Sequence, residues 1–471
     1  MVALVMLLWY NKRNLQKNKS IRGRIKMYRF PKDLYADVRI NENVQSNIYI
    51  KNGEVENNTS VSVTGAIVRV YDGEMWYSSV TNDLSAIQQE LDDLAGLAKP
   101  NPDILNDPMV KNFEVNRAEV LIYDGENDLR KVGREQKMQL LEGLIADCVD
   151  DSIPEINSWD AFYNDTHTVK RFYSSKGAAI TQDKQACAAG IYFQITVNGV
   201  TTSGGKSQRK MDLGSIKNLS QEIIAERDRT LDFARNAVDV TPGDYTCVLA
   251  PVVTAMFTHE SFGHKSEADF MLNDKTLRDE WIMGKTVGNE KVSICDSGDM
   301  PNHGYTPYDD EGSKARETWL IKNGVLTGRL HDAHSAAVLG EEITGNCRAQ
   351  SYQCMPMVRM TNTYMQGGSD NVEQMISEVE DGIYVYCVNY GTGQSTFTMQ
   401  PSICYRIRDG KLAEPIRANV VTGSVFKTLF DIDAVGDDFE LFDSYFCGKN
   451  GQTVSVSAGG PTIRVKSLTV N

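Results

Sequence analysis

No two cysteines of this 471-residue sequence stand in a C-x-x-C arrangement, although nine are present. That absence removes the common zinc-ribbon and thioredoxin-like readings. The nine, at positions 148, 187, 247, 295, 347, 354, 387, 404 and 447, are odd in number and scattered through apolar stretches. Such scatter is the pattern of reduced, mostly buried thiols and fits a cytoplasmic protein. A membrane-spanning run is also lacking, since a bilayer takes about 20 apolar residues. The apolar opening, Met1 to Trp9, is far shorter, and its basic run follows rather than precedes it, the reverse of a secretory signal. Basic excess is missing too. With 49 Lys and Arg against 63 Asp and Glu, the net charge of −14 argues against a general nucleic-acid binder. Repeats and low-complexity tracts are absent as well.

The charge that is present is unevenly spread. Residues 1–32 carry nine Lys and Arg and no acid, so removing those nine charges from −14 leaves the remainder at −23. Residues 1–35 are expected to form a tail outside the fold, with 1–26 translated from upstream of a start at Met27. A membrane-surface anchor is the alternative for that arm. Beyond it, 41% hydrophobic and 24% charged residues are ordinary for a soluble globular chain of two or three domains. Residues 36–114 read as a small α+β unit, because Asn52-Gly53 and Asp72-Gly73 separate strand-like runs. A helix capped by Asp83 follows them. Residues 115–239 read as a second α+β unit closed by a long helix, about Asn218–Val238. Residues 240–471 open with a strand at Cys247–Ala250 and a helix behind Pro251, then turn rich in Gly, Thr and β-branched residues. They are expected to be mostly antiparallel sheet. The fold class is α+β.

Histidine is scarce, and two of the six stand five apart in His259-Glu260-Ser261-Phe262-Gly263-His264. The zinc-peptidase spacing H-E-x-x-H sets its histidines at i and i+4, on one helical face. At about 100° per residue, i and i+5 lie roughly 140° apart on a regular helix and cannot meet one ion. The motif makes a metal site only if the helix is broken or widened between the histidines, as single-turn bulges at functional sites are. Gly263 supplies permissive backbone there. Glu267 would lie beside His264, either as a third ligand or as the acceptor that orients its imidazole. His303, His331 and His334 are further candidates, more simply read as surface or hydrogen-bonded loop residues. Gly204-Gly205-Lys206-Ser207 lacks the leading glycine of a phosphate loop, Val200 occupying its place, and reads as a loop between strands. Gly391 and Gly393 make no dinucleotide fingerprint, but glycines there would let a peptide approach the backbone closely.

The segment HESFGHKSEADF (259–270) resembles the H-E-x-x-x-H signature of the TldD/PmbA family of cytoplasmic metallopeptidases. YTPYDDEG (305–312), KNGVLTGRLHD (322–332), GNCRAQSY (345–352), RMTNTY (359–364) and CGKNGQTVSVSAGGP (447–461) resemble the family in order, as does IYIKNGEVE (48–56). The resemblance covers about residues 36–471. It implies a zinc metallopeptidase acting on short or unstructured peptides, with His259, His264 and Cys447 as metal ligands and Glu260 activating water. It also implies a dimer, either with a second copy or with another TldD/PmbA-type subunit. Some such subunits lack the metal motif and serve as the non-catalytic half. Asn346, Arg348, Gly391 and Gly393 are the candidate substrate-binding positions. The peptide is expected to lie extended against a sheet edge of the last domain.

Overall fold

The structure, a computed structural model, describes residues 28–393 and 395–471. The arm at 1–26 and the start at Met27 lie outside the described residues. Residues ahead of the expected boundary at 36 take part in the fold: Leu34 is buried, and Tyr28 and Phe30 pack on the first core.

Two long hairpins build the first sheet. Strands β1 (Tyr35–Lys51) and β2 (Glu54–Tyr71) turn through Asn52-Gly53, both in the left-handed region that this turn needs. Next come β3 (Trp76–Thr81), helix α1 (Ile87–Leu97), β4 (Arg117–Val120) and helix α2 (Arg134–Cys148). Strands β5 (Ile156–Ser174), β6 (Ala179–Val197) and β7 (Val200–Lys210) and helix α3 (Leu219–Asn236) complete this part. Asp83 does not cap α1; it holds Ser85 in a turn ahead of the helix. The sheet runs β3-β2-β1-β5-β6-β4, with β7 also on β6. Because β1 pairs with β5 from Asp37↔Ser174 to Lys51↔Asp160, the units expected over 36–114 and 115–239 share one sheet. The Gly204–Ser207 segment is not a loop but part of β7. A Cβ on Gly204 would overlap Thr230 of α3, so its glycine serves close packing.

The remaining chain starts with β8 (Gly243–Leu249) and helix α4 (Pro251–Thr258), Pro251 sitting in the first turn where its missing N–H costs nothing. Then follow β9 (Ile294–Ser297), β10 (Glu317–Lys322), β11 (Val325–Leu326), β12 (Asn362–Met365), β13 (Asp381–Gly393), β14 (Thr396–Arg408), β15 (Lys411–Arg417) and β16 (Val421–Ser424). Strands β17 (Glu440–Lys449), β18 (Gln452–Gly460) and β19 (Ile463–Val470) end the chain. One sheet runs β11-β10-β9-β12-β18-β17, and the pairs β13-β8-β19-β16-β14-β13 close on themselves. The largest core joins both sheets, with Val253, Phe257 and Phe262 of the α4 region buried inside it. The metal-motif helix is thereby clamped on several sides, which is what a rigid site requires.

Segment 305–312 ties the two parts together. Lys170 donates to Asp310 at 2.8 Å, and Gln182 donates to the Tyr308 carbonyl at 2.7 Å. Glu311 is buried there and accepts from the Ala333 N–H. Burial first, then the charge of Asp332, raises its carboxyl from 4.5 to about 8. Between those two pH values the folded chain holds a proton that the unfolded chain has lost, so stability falls as pH rises across the window. Glu311→Gln keeps the acceptor oxygen and has no proton to lose. Urea unfolding at pH 6 and pH 8 should show a shallower fall for the variant and a gain at pH 8 on the order of 2 kcal/mol. An unchanged pH slope would count against this assignment.

Candidate metal centre

The helix widens where the motif needs it to. Residues His259–Gly263 form a single π-helical turn, closed by the His264 N–H donating to the His259 carbonyl. The extra residue in that turn returns i+5 to roughly the place i+4 holds on a regular helix, about 40° from the first histidine. The two rings then face each other with centroids 5.2 Å apart and planes at 82°. Gly263 is required for space rather than for an unusual φ: its backbone is helical, and a Cβ would overlap Met360 Sδ.

Strand β17 supplies the third group. Cys447 Sγ lies 3.5 Å from His264 Nε2, and one donor atom each from His259, His264 and Cys447 falls within 4.8 Å of the others. Alternation along the strand puts Tyr445, Cys447 and Lys449 on one face. The Tyr445 hydroxyl points to the Val252 carbonyl of α4, and Lys449 pairs with Glu267 at 3.2 Å and Asp269 at 2.7 Å. Glu267, fully buried, sits behind His264 rather than in the cluster: its carboxylate meets Nδ1 at 3.1 Å. That contact turns Nε2 toward Cys447. The Arg359 guanidinium donates to the Cys447 carbonyl and fixes the strand from below.

Electrostatics separates Cys447 from the other thiols. Burial raises Cys148, Cys187, Cys247, Cys295, Cys347, Cys387 and Cys404. Burial would raise Cys447 as well, but hydrogen bonds and charge from His259 and His264 outweigh it and hold the thiol down to about 5. For His264, burial is likewise outweighed, by Cys447 and Glu267, and the imidazole is raised to about 10. The donor set fits a metal: a thiolate, an imidazole locked in orientation, and His259, whose Nδ1 is buried without a partner among the described residues.

Residues 242–471 match the C-terminal domain of the PmbA/TldA metallopeptidases, and residues 36–99 match domain 1 of the same group. A zinc metalloprotease TldD homolog of Saccharolobus solfataricus is 32% identical over 366 residues, covering 75% of this chain and 81% of that protein. The chain belongs to the TldD/PmbA metallopeptidase family. A Synechocystis metalloprotease is 29% identical over 444 residues, covering 93% of this chain and 94% of its own length. The crystal structure of TldE from Thermococcus kodakarensis shares the fold, with a TM-score of 0.72 at 15% identity over 93% of this chain and 96% of that one.

The other candidate positions of this TldD/PmbA chain fall around the centre rather than in it. Glu260, half-buried, follows the first histidine. Its charge reaches the Tyr445 phenol, which burial first, then Cys387 and Glu260, raises. Asn346 is buried and donates to Asp296 at 2.8 Å and to the Arg359 carbonyl. Arg348 is buried and donates to the carbonyls of Met360 and Ser455. Both brace backbone next to the site. His331 is hydrogen-bonded to Ser335 and Glu341, His334 is exposed, and His303 lines a separate cavity. Gly391 and Gly393 are approached closely by the metal helix: Cβ atoms there would meet Met256 and the Glu260 backbone. At Gly393 the clash would be 2.9 Å from the Glu260 carbonyl oxygen, where no side chain can swing away. Gly393→Ala should therefore cost about 1–3 kcal/mol in stability and lower kcat while metal content stays whole. Thermal unfolding with metal analysis and peptide cleavage reads this, and wild-type kcat would refute it. Tyr445 and Lys449 were not among the sequence candidates. The alternation Y-x-C-x-K was their only signal.

Proposed function

We propose that this chain is a zinc-dependent peptidase that hydrolyses short or unstructured peptides. The observation that carries this reading is the π turn, which turns His259 and His264 toward the Cys447 of β17 with Glu260 beside the first histidine. Two imidazole nitrogens and a thiolate suit zinc and leave a fourth position for water or substrate. When bound, zinc in such a set acts as a Lewis acid that brings water to a pKa of about 7 and polarises a carbonyl. Everything else falls to the chain. Glu260 accepts the proton of the attacking water at a carboxylate oxygen and returns it to the leaving amine nitrogen. Glu267, backed by Lys449, keeps the proton of His264 on Nδ1 and leaves Nε2 free to bind. The clamped helix and the Arg359 contact to Cys447 hold these groups in register. Residues 240–471 carry all of this chemistry, and free thiols throughout the described chain suit a reducing cytoplasm. No helix among the described residues is long and apolar enough to cross a membrane.

A second reading follows from the TldE neighbour: the chain works as one subunit of a TldD/TldE-type heterodimer and is silent or weak alone. Retention of the histidines and Glu260 favours the catalytic half of such a pair. Zinc content of the pure protein, measured with cleavage of a random-coil peptide alone and with a partner subunit, separates the two. Stoichiometric zinc with no cleavage in either setting would reject both.

A further inference from the structure

Behind the strand that carries Cys447 lies a second polar cavity, of about 610 Å³, between the first sheet and the far face of β17 and β18. That volume is within the range of small-molecule sites, about 300–1,000 Å³. Its walls carry a surplus of cations. Lys184 of β6 donates to Ser455 Oγ at 2.5 Å, and Arg348 donates to the Ser455 carbonyl at 2.7 Å. Arg209 of β7 stacks over Phe446 at 5.1 Å, touches Asn164 at 3.3 Å, and keeps its Nε buried with no partner among the described residues. Among the described residues, no carboxylate lies within ion-pair distance of Lys184, Arg209 or Arg348. The acids nearby are engaged elsewhere. Asp310 is held by Lys170, and Asp183 accepts from the Ile122 and Tyr123 amides. Burial, then Arg348 and Lys170, pulls the Lys184 ammonium well down, and burial lowers Arg348 to about 10. Asp310 offsets part of that cost for both groups from beyond ion-pair distance, so each cation stays buried without a carboxylate in contact.

We propose that this cavity binds a small molecule through its oxyanion group, a carboxylate or a phosphate, set among Lys184, Arg209 and Arg348. Guanidinium and ammonium groups lining one cavity recognise such a group through charge-assisted hydrogen bonds. The cavity is distinct from the metal centre. Phe446 and Cys447 are consecutive on β17 and so face opposite sides of the strand. The site therefore does not depend on the peptidase reading.

Isothermal titration of the full-length protein at constant ionic strength tests it, with inorganic phosphate, acetate, and a short peptide acid compared with its C-terminal amide. One equivalent of at least one oxyanion should bind, and Lys184→Met and Arg209→Gln should each raise its Kd at least tenfold with zinc content unchanged. Binding of phosphate alone assigns a phosphorylated ligand. Binding of the peptide acid but not its amide assigns a carboxylate. Without ligand, Lys184→Met should melt no lower than wild type, because it removes a buried ammonium held by one hydroxyl and no contacting carboxylate, so lost binding would not be lost folding. Failure of all three oxyanions to bind, or variants that bind them as wild type does, overturns the proposal.

Discussion

Glu260→Gln should keep stoichiometric zinc and lose about 10²- to 10⁴-fold in kcat on a random-coil peptide, the range that a positioned general base contributes. The geometry makes the two readouts separable. Glu260 lies between the two histidines in sequence but is not one of the three clustered donors, so the amide should not disturb metal affinity. Gln is nearly isosteric, and Glu260 is only half-buried, so neither packing nor desolvation gives the variant a reason to misfold. What it lacks is the ability to take a proton. Loss in kcat with KM near wild type would place the residue in the chemical step rather than in substrate binding. Full activity would remove Glu260 from the mechanism. Loss of zinc would instead make it a ligand.

The spacing H-E-x-x-x-H already contained the main structural demand, because two histidines at i and i+5 can share an ion only across a broken or widened turn. The π turn at His259–Gly263 meets it. What the spacing could not carry was the reason for Gly263. Its φ is ordinary, and the constraint is Met360, which arrives from a distant segment. Long-range contacts of that kind leave no local signature. Gly393, far from the motif in sequence, has the same character: it reads as an opening for a peptide, while its close neighbour is the Glu260 backbone.

The hairpins were legible for the opposite reason. Asn52-Gly53 sets the chain reversal and the first pairs, Lys51↔Glu54 and Ile50↔Val55, before a bulge between Tyr49 and Ile50 shifts the register of the rest. The joining of β1 to β5 was not legible, since it depends on which strand edge meets which after collapse. Nor was the strand character of Gly204–Ser207, where glycine composition signals a loop and tight packing on α3 overrides it. At the site, Glu267 stood open between ligand and orienting acceptor. Its distance to His264 Nδ1, together with its ion pair to Lys449, favours the second role.

Cys447→Ala should cost far more metal than loss of an orienting partner, which lowers affinity about 10- to 100-fold. Cys447 is the one thiolate in the cluster, and it is a thiolate already above about pH 5. Removing it deletes the negative donor and leaves His264 without the partner that faces Nε2. Zinc in the dialysed variant, measured by mass spectrometry, should fall to a small fraction of an equivalent. A chelator should lower the wild-type melting temperature and leave that of the variant unmoved. Glu267→Gln is the matched control, with its smaller loss recoverable at higher zinc. The same geometry fixes a pH dependence. Both the Cys447 thiol and the His264 imidazolium must give up a proton to bind, so zinc affinity should fall steadily as pH is lowered. Stoichiometric zinc in Cys447→Ala would pass the third position to Glu267, and the site would then have to close around a carboxylate that now points at Nδ1.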